Sequence, residues 1–276
     1  MLFDKISIFT YNLILRFTNK MESYLDFLKT SNIKKGDSVY VVSDITKFGL
    51  EAHKNGERLD MNKVIDTLQE LVGEEGNLLF PVFSWDFCKS KGFDIKATKS
   101  TCGSLTEAAR RRPDFKRTKH PMYSFMVWGK DADYLCGLEN IDCWGEDTIF
   151  EWLDTVDAKV FSLGVHTLYG FTGSHHMEQK IGVSYRYDKA FTGLYTDENG
   201  NTSERTYTMY VRDLDINALE IDEKPLGKIM EKESTSTVTH YGKVPLCVYR
   251  VRDAYTMYEK DIKENGSRLM YTFNIN

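Results

Sequence analysis

Apolar positions recur along this chain with two periods, and these predict its elements. Met61, Val64, Ile65, Leu68, Leu71 and Val72 fall three and four apart, the spacing of one helical face, and Gly73 ends the run. Residues 21–30 read as another helix, striped by Tyr24, Leu25, Phe27 and Leu28. Short apolar runs at 38–42, 78–83 and 160–165 read as strands, the last of them buried. Pro81 inside the second run predicts an edge or a bulge there, because proline brings no N–H to a ladder. Residues 123–128 alternate as a strand would, and 132–136 and 148–153 read as short helices, the latter with Asp147 as N-cap.

Polar segments between these runs carry local signals. Residues 43–49, with Ser43, Asp44, Thr46, Lys47 and Gly49, form a loop that can aim backbone N–H groups at a phosphate or a carbonyl. It lacks the glycines and the closing Gly-Lys-Ser/Thr of a P-loop. Residues 84–99 read as an excursion over the surface. Ser104 and Glu107 have capping-box spacing and open a helix that runs through Arg110, Arg111 and Arg112 and stops before Pro113. The arginines suit a solvated helix end or the holding of an anionic ligand. Beyond Gly182, residues 184–213 read as an antiparallel insertion turning at 198–201, and 214–233 as helical and acidic. A strand at 242–249 and a helix at 252–263 close the chain.

With 276 residues, 41% hydrophobic and 28% charged, the chain suits a large α/β core, with one main domain at 1–183 and 241–276 and an insertion at 184–240. A formal charge of −5 argues against a broad nucleic-acid surface. Five cysteines without a CxxC pair fit a reduced, cytoplasmic compartment. Residues 6–17 are apolar-rich but too interrupted to span a membrane; they read as an amphipathic helix packed on the body, with membrane-surface contact as the minor alternative.

The stretch 174–182 carries the chemistry. His175 and Glu178 are three apart and share a helix face, where a carboxylate can orient an imidazole as a general base. The helix N-terminus disfavours imidazolium and so opposes protonation. The plainer reading is a helix-face histidine bonded for stability. A zinc site from His175, His176 and Glu178 would make a metallohydrolase, but no further ligands follow at metal-like spacing, so no metal is expected. His120, before Pro121 in a basic loop, is expected at the surface, with a phosphate contact as the alternative.

Several blocks, in order, resemble the aminoglycoside 3-N-acetyltransferases. They are Val64-Ile65-Asp66-Thr67-Leu68; Leu78-Leu79-Phe80-Pro81 with Phe83-Ser84; residues Gly103 to Pro113; Arg117-Thr118-Lys119-His120-Pro121; Gly145-Glu146-Asp147; Leu163-Gly164-Val165; and the Thr-x-x-His-x-x-Glu of Thr172, His175 and Glu178. The likeness is dense over 35–190. It implies a three-layer α/β/α fold with a central mixed sheet and a small antiparallel β insertion. It also implies acetyl-CoA as donor and a sugar amine as acceptor. By that likeness His175 deprotonates the amine, Glu178 orients the ring, and Thr172 with nearby N–H groups stabilises the oxyanion. Residues 43–49 would meet CoA, with Gly103 and Ser104 beside it, and Ser84 and His120 would line the acceptor.

There are departures. Val42-Ser43-Asp44 stands where the family carries a His before two serines, and Cys102 where it has Met, as an apolar filler or, more remotely, a ping-pong nucleophile. Residues 182–189 look like a branch alongside surface-polysaccharide enzymes. Tyr185, Arg186 and Tyr187 there suit a nucleotide-linked amino sugar, or else a hairpin whose tyrosines face the core. The reading is an acetyltransferase for such a sugar in lipopolysaccharide O-antigen synthesis. Aminoglycoside acetylation is the alternative and a metal-dependent hydrolase a remote one. A homodimer is left open.

Overall fold

The computed structural model describes residues 23–216, 218–221 and 224–273; the apolar segment 6–17 lies outside them. In chain order the elements are α1 (Tyr24–Lys29), β1 (Ser38–Ser43), α2 (Ile45–Lys54), α3 (Met61–Val72), β2 (Asn77–Pro81), β3 (Phe93–Asp94), α4 (Ser104–Arg110), β4 (Lys116–Arg117), β5 (Phe125–Gly129), α5 (Ala132–Gly137), α6 (Ile149–Thr155), β6 (Lys159–Leu163), α7 (Ser174–Ile181), β7 (Arg186–Thr196), β8 (Thr202–Arg212), β9 (Ala218–Glu220), α8 (Pro225–Lys232), β10 (Ser236–Tyr241), β11 (Val244–Arg250), α9 (Val251–Asn265) and β12 (Tyr271–Phe273).

Seven strands form one mixed sheet in the order β10-β11-β6-β1-β2-β5-β4. β1 runs parallel to both β2 and β6, whereas β5 and β11 pair antiparallel. Both faces are buried, and alternate side chains divide between two cores. Val39, Val41, Leu78, Phe80, Phe161 and Leu163 meet α1, α2, α3 and α4 on one face. Tyr40, Val42, Leu79 and Val160 meet α6, α7 and α9 on the other. This is the expected three-layer arrangement with a central mixed sheet. β7 and β8 form the expected hairpin, and the two-residue β3 pairs with β7. Among the described residues no helix is long and apolar enough to cross a membrane.

Pro81 sits on an interior strand, not an edge. Val82 N–H donates to Ser124 on the β5 side, so position 81 faces the β1 side, where the ladder already ends at Leu79. The missing donor therefore leaves no acceptor unserved.

Other differences from the sequence reading have local causes. Residues 45–49 are helix, not loop: Ile45, Phe48 and Ala52 set a buried apolar face that starts within the polar-looking segment. The capping box at Ser104 is absent, because Gly103 takes the N-cap and Glu107 instead accepts from Ser100 N–H at 3.2 Å and from Arg110 Nη2 at 2.6 Å. Thr148, not Asp147, caps α6 by accepting from Glu151 N–H. The described residues 214–216, 218–221 and 224 are not helical: β9 pairs with β12, and the helix begins at Pro225. Ser236–Tyr241, of which the sequence reading places residues 236–240 in the insertion, is the outer strand of the large sheet and turns into β11 at Gly242.

The C-terminal end of β6 approaches that of β1 closely. Asp44 N–H donates to Leu163 O and Gly164 N–H to Pro245 O, each at 2.8 Å. Gly164 has φ +80°, and a Cβ there would stand 2.4 Å from the Asp44 carbonyl oxygen. Gly164→Ala should therefore cost about 2–4 kcal/mol of unfolding free energy in urea titrations; a loss below about 0.5 kcal/mol, the range of neutral surface changes, would show that the close approach is not a constraint.

Candidate active site

The three parallel strands end on one edge of the sheet, and the segments that leave them there carry most of the singled-out residues. Ser43 ends β1 and Asp44 follows it, Ser84 and Gly103 follow β2, and Thr172 and His175 follow β6. Strand β1 leads to β2 on one side and has β6 on the other, and such a switch point leaves a crevice at the carboxyl ends. Tyr40 rises from β1 toward it, with its hydroxyl 3.3 Å from Thr172 Oγ1. Burial raises the Tyr40 pKa, which keeps the phenol protonated.

His175 stands in the first turn of α7. Its Nδ1 lies 2.7 Å from Glu178 Oε2, and the three-residue separation on one helix produces the contact. The His175 side chain keeps 23% of its surface exposed, whereas that of Glu178 has none. With Nδ1 turned inward as the donor, Nε2 is the nitrogen left to act outward. The Trp144 ring packs edge-on to the imidazole at 5.1 Å. His176, the next residue on the helix, is buried, shares a hydrogen bond with the Trp144 carbonyl and stacks on Tyr255. The second histidine thus fixes the tryptophan that packs on the first.

Glu178 is held by more than His175. The Tyr185 hydroxyl donates to Oε1 at 3.0 Å and lies 2.8 Å from Ser267 Oγ. Arg186 Nε stands 2.8 Å from Oε2, off the line of an aligned hydrogen bond, so this contact is an ion pair. Arg186 Nη1 donates to the Tyr210 carbonyl at 3.1 Å and Nη2 to the Tyr271 hydroxyl at 3.0 Å. Burial pushes the Glu178 pKa up, but the hydrogen bond and charge of His175 and the charge of Arg186 outweigh it, and the carboxyl stays below its ordinary range. The His175 pKa is lowered, first by burial and then by the Arg186 charge, against the raising effect of Glu178.

Tyr185 and Arg186 are therefore not a surface for a ligand. The hairpin starts at the end of α7, and its first side chains turn inward to the carboxylate. Tyr187, the next residue, is 48% exposed. His120 is buried, not at the surface, and is not free for a phosphate: Nδ1 accepts from Tyr123 N–H at 3.2 Å, and burial holds its pKa at about 4. Ser84 is buried too, with its hydroxyl accepting from Asp86 N–H. Thr46, Lys47 and Gly49 lie in α2, where Lys47 pairs with Asp44 and Gly49 packs on Leu59. Gly103 and Ser104 begin α4, and the nearby Cys102 thiol is raised in pKa by burial, which does not favour a nucleophile. Among the described residues no three His, Cys, Asp or Glu side chains gather as metal ligands.

Sequence reasoning missed Trp144 and the holders of Glu178. One signal was present for the first: Asp142 precedes Trp144-Gly145, and its side chain accepts from both of their N–H groups, at 2.7 and 2.9 Å. A narrow cavity opens beside α7, lined by Leu168, Phe171, Ser174, Leu226 and Tyr258, with Glu220 and Lys224 on its polar side.

A family model described as aminoglycoside 3-N-acetyltransferase matches residues 41–263. The SPbeta prophage-derived aminoglycoside N(3')-acetyltransferase-like protein YokD of Bacillus subtilis (strain 168) is 29% identical over 136 residues, 41% of this chain and 48% of that relative. The chain thus matches about half the length of this curated relative. Among solved structures, aminoglycoside acetyltransferase AAC(3)-Xa superposes with a TM-score of 0.72 at 20% identity, covering 87% of this chain and 91% of the other. The YokD protein from Bacillus subtilis gives 0.70 at 22%, covering 87% and 92%. AAC-IIIb, solved as a binary complex with CoASH, gives 0.70 at 17%, covering 86% and 94%. At these identities the structural likeness speaks to the fold.

The buried histidines make stability sensitive to acid. His120, His175 and His176 all have folded pKa values below the ordinary imidazole value, chiefly through burial. The unfolded chain therefore takes up protons near pH ~6.5 that the folded chain resists, and stability falls as pH drops below that value. For His120 the window runs from there down to about 4, a difference worth about 3 kcal/mol. Urea midpoints should fall across this window, and His120→Asn, whose Oδ1 can still accept from Tyr123 N–H, should flatten the slope. An unchanged slope in that variant would show that His120 is not its source.

Proposed function

The chain belongs to the aminoglycoside 3-N-acetyltransferase family, and we propose that it transfers the acetyl group of acetyl-CoA to a primary amine of an aminoglycoside-type polyamine sugar. The observation that carries this reading is the His175–Glu178 contact: a buried carboxylate fixes Nδ1 and leaves Nε2 as an outward base.

The residues present suit such a cosubstrate. The first turn of α2, whose N-cap Asp44 makes no side-chain capping bond, offers N–H groups on the same edge of the sheet. When bound, acetyl-CoA supplies an acyl group already activated for attack by an amine. His175 Nε2 removes the proton of the attacking amine, while Nδ1–H stays on Glu178. Thr172, steadied by Tyr40, and the first N–H groups of α7 are donors for the oxygen on which charge develops. The five cysteines are free, which supports a reducing compartment such as the cytoplasm.

A nucleotide-linked acceptor loses its main support, because Tyr185 and Arg186 are committed to Glu178. A polycationic acceptor agrees better with the net charge of −5.

Thiol release from acetyl-CoA, followed with aminoglycosides and with nucleotide-linked amino sugars, tests both parts. Aminoglycosides should be turned over with the higher kcat/KM, and chelators should change nothing. His175→Ala should lower kcat by roughly 10²–10⁴-fold with little change in melting temperature, and Glu178→Gln should lower it less. Faster turnover of nucleotide-linked sugars would sink the acceptor assignment. A His175→Ala enzyme with normal kcat would remove the general base.

A further inference from the structure

The Glu178 carboxylate stands between an imidazole and a guanidinium, and only the imidazole is accounted for by proton transfer. Oε2 meets His175 Nδ1 at 2.7 Å and Arg186 Nε at 2.8 Å. The Arg186 side chain is 8% exposed. Its contacts reach α7, the Tyr210 carbonyl on β8 and the Tyr271 hydroxyl on β12, so the guanidinium is fixed from three elements. It is tied within the protein and is not an arm for substrate.

We propose that Arg186 is a positioning residue for the His175–Glu178 pair: by sharing the carboxylate it locks the orientation of Glu178 and keeps the imidazole unprotonated and ready to accept a proton. The proposal rests on the reading of His175 as the base. A buried carboxylate paired with a histidine alone favours imidazolium, and a proton already on Nε2 would leave no base. Adding Arg186 changes the local charge: protonated His175 would then be a second cation on one carboxylate in a site with little water. Nδ1–H still donates to Oε2, so the tautomer is set, but the drive toward imidazolium is reduced. The direction of the His175 shift agrees, with burial and Arg186 lowering its pKa against Glu178.

Other groups facing the pair do not supply this effect. Tyr185 just before β7, Tyr258 on α9 and Tyr271 on β12 are all raised in pKa by burial and stay neutral. Tyr210 on β8 is likewise raised. Glu220 on β9 acts on His175 in the opposite sense, favouring its protonation. Arg186 is thus the cation that opposes two carboxylates.

NMR titration of the His175 ring, assigned by its loss in His175→Asn, tests this without turnover. In the unaltered protein the ring should titrate below the ordinary ~6.5. Arg186→Met should raise that value by about one unit and move the acid limb of kcat/KM upward with it. Arg186→Lys should leave the titration close to that of the unaltered protein while lowering kcat, because the charge remains and the planar fork is lost. A folded Arg186→Met protein with an unmoved or lowered imidazole titration overturns the proposal. Should that variant fail to fold, Arg186→Gln replaces it with the same reading, and titration of the unaltered ring at or above the ordinary value overturns the proposal in either case. Normal kcat in His175→Ala would remove the general base and this proposal together. An inactive His175→Ala with an Arg186-independent imidazole would remove this proposal alone.

Discussion

A carboxylate without solvent contact is the constraint around which this molecule is arranged. An ionised group loses its hydration on burial, and the loss is tolerable only when charges and donors of the protein replace the water. Glu178 receives His175 from its own helix, Tyr185 and Arg186 from the start of the hairpin, and through them Ser267 and Tyr271 from beyond α9. The partners come from the helix, the start of the hairpin and the segment beyond α9, so meeting the needs of one side chain also fixes how these three sit together. Here the polar centre and the packing of one face of the sheet are a single structure.

What the sequence made legible follows from period and short spacing. The apolar face of α3, the strands at 38–42 and 160–165, the His175–Glu178 pair and the hairpin all depend on residues close along the chain, and all are present. What it hid depends on distance in sequence. β9 is three residues long and finds its partner in β12, with Leu219 O accepting from Thr272 across 53 positions. β10 lies at the sheet edge, and four of its six residues are Ser, Thr or His, so no apolar run marks it. Tyr185 and Arg186 read as exposed because a β-prone run after a helix end gives no sign of which way its first residues turn. A basic residue with an aromatic neighbour looks the same whether it meets a ligand or a buried glutamate.

The topology explains why the matching blocks are scattered. Strands β1, β2 and β6 are parallel, so the segments leaving their carboxyl ends meet on one edge although they are far apart in the chain. Parallel pairing also requires crossovers, and the helices in those crossovers cover both faces of the sheet. The same connections that bury the sheet therefore collect Ser43, Gly103 and Thr172 along one rim.

The ties between the hairpin and the last strand have a consequence for how the chain reaches its native state. Tyr185 and Ser267 are 82 residues apart, and Arg186 and Tyr271 are 85 apart. Contacts of such long range close large loops and form late, after the local helices and the hairpin have already lost their entropy. A partly refolded chain can hold α7 intact, with His175 and Glu178 in register, while the guanidinium and phenol that fix the carboxylate are still elsewhere. Recovery of secondary structure after denaturation should then run ahead of recovery of the proposed acetyl transfer, which would report on the last step of folding.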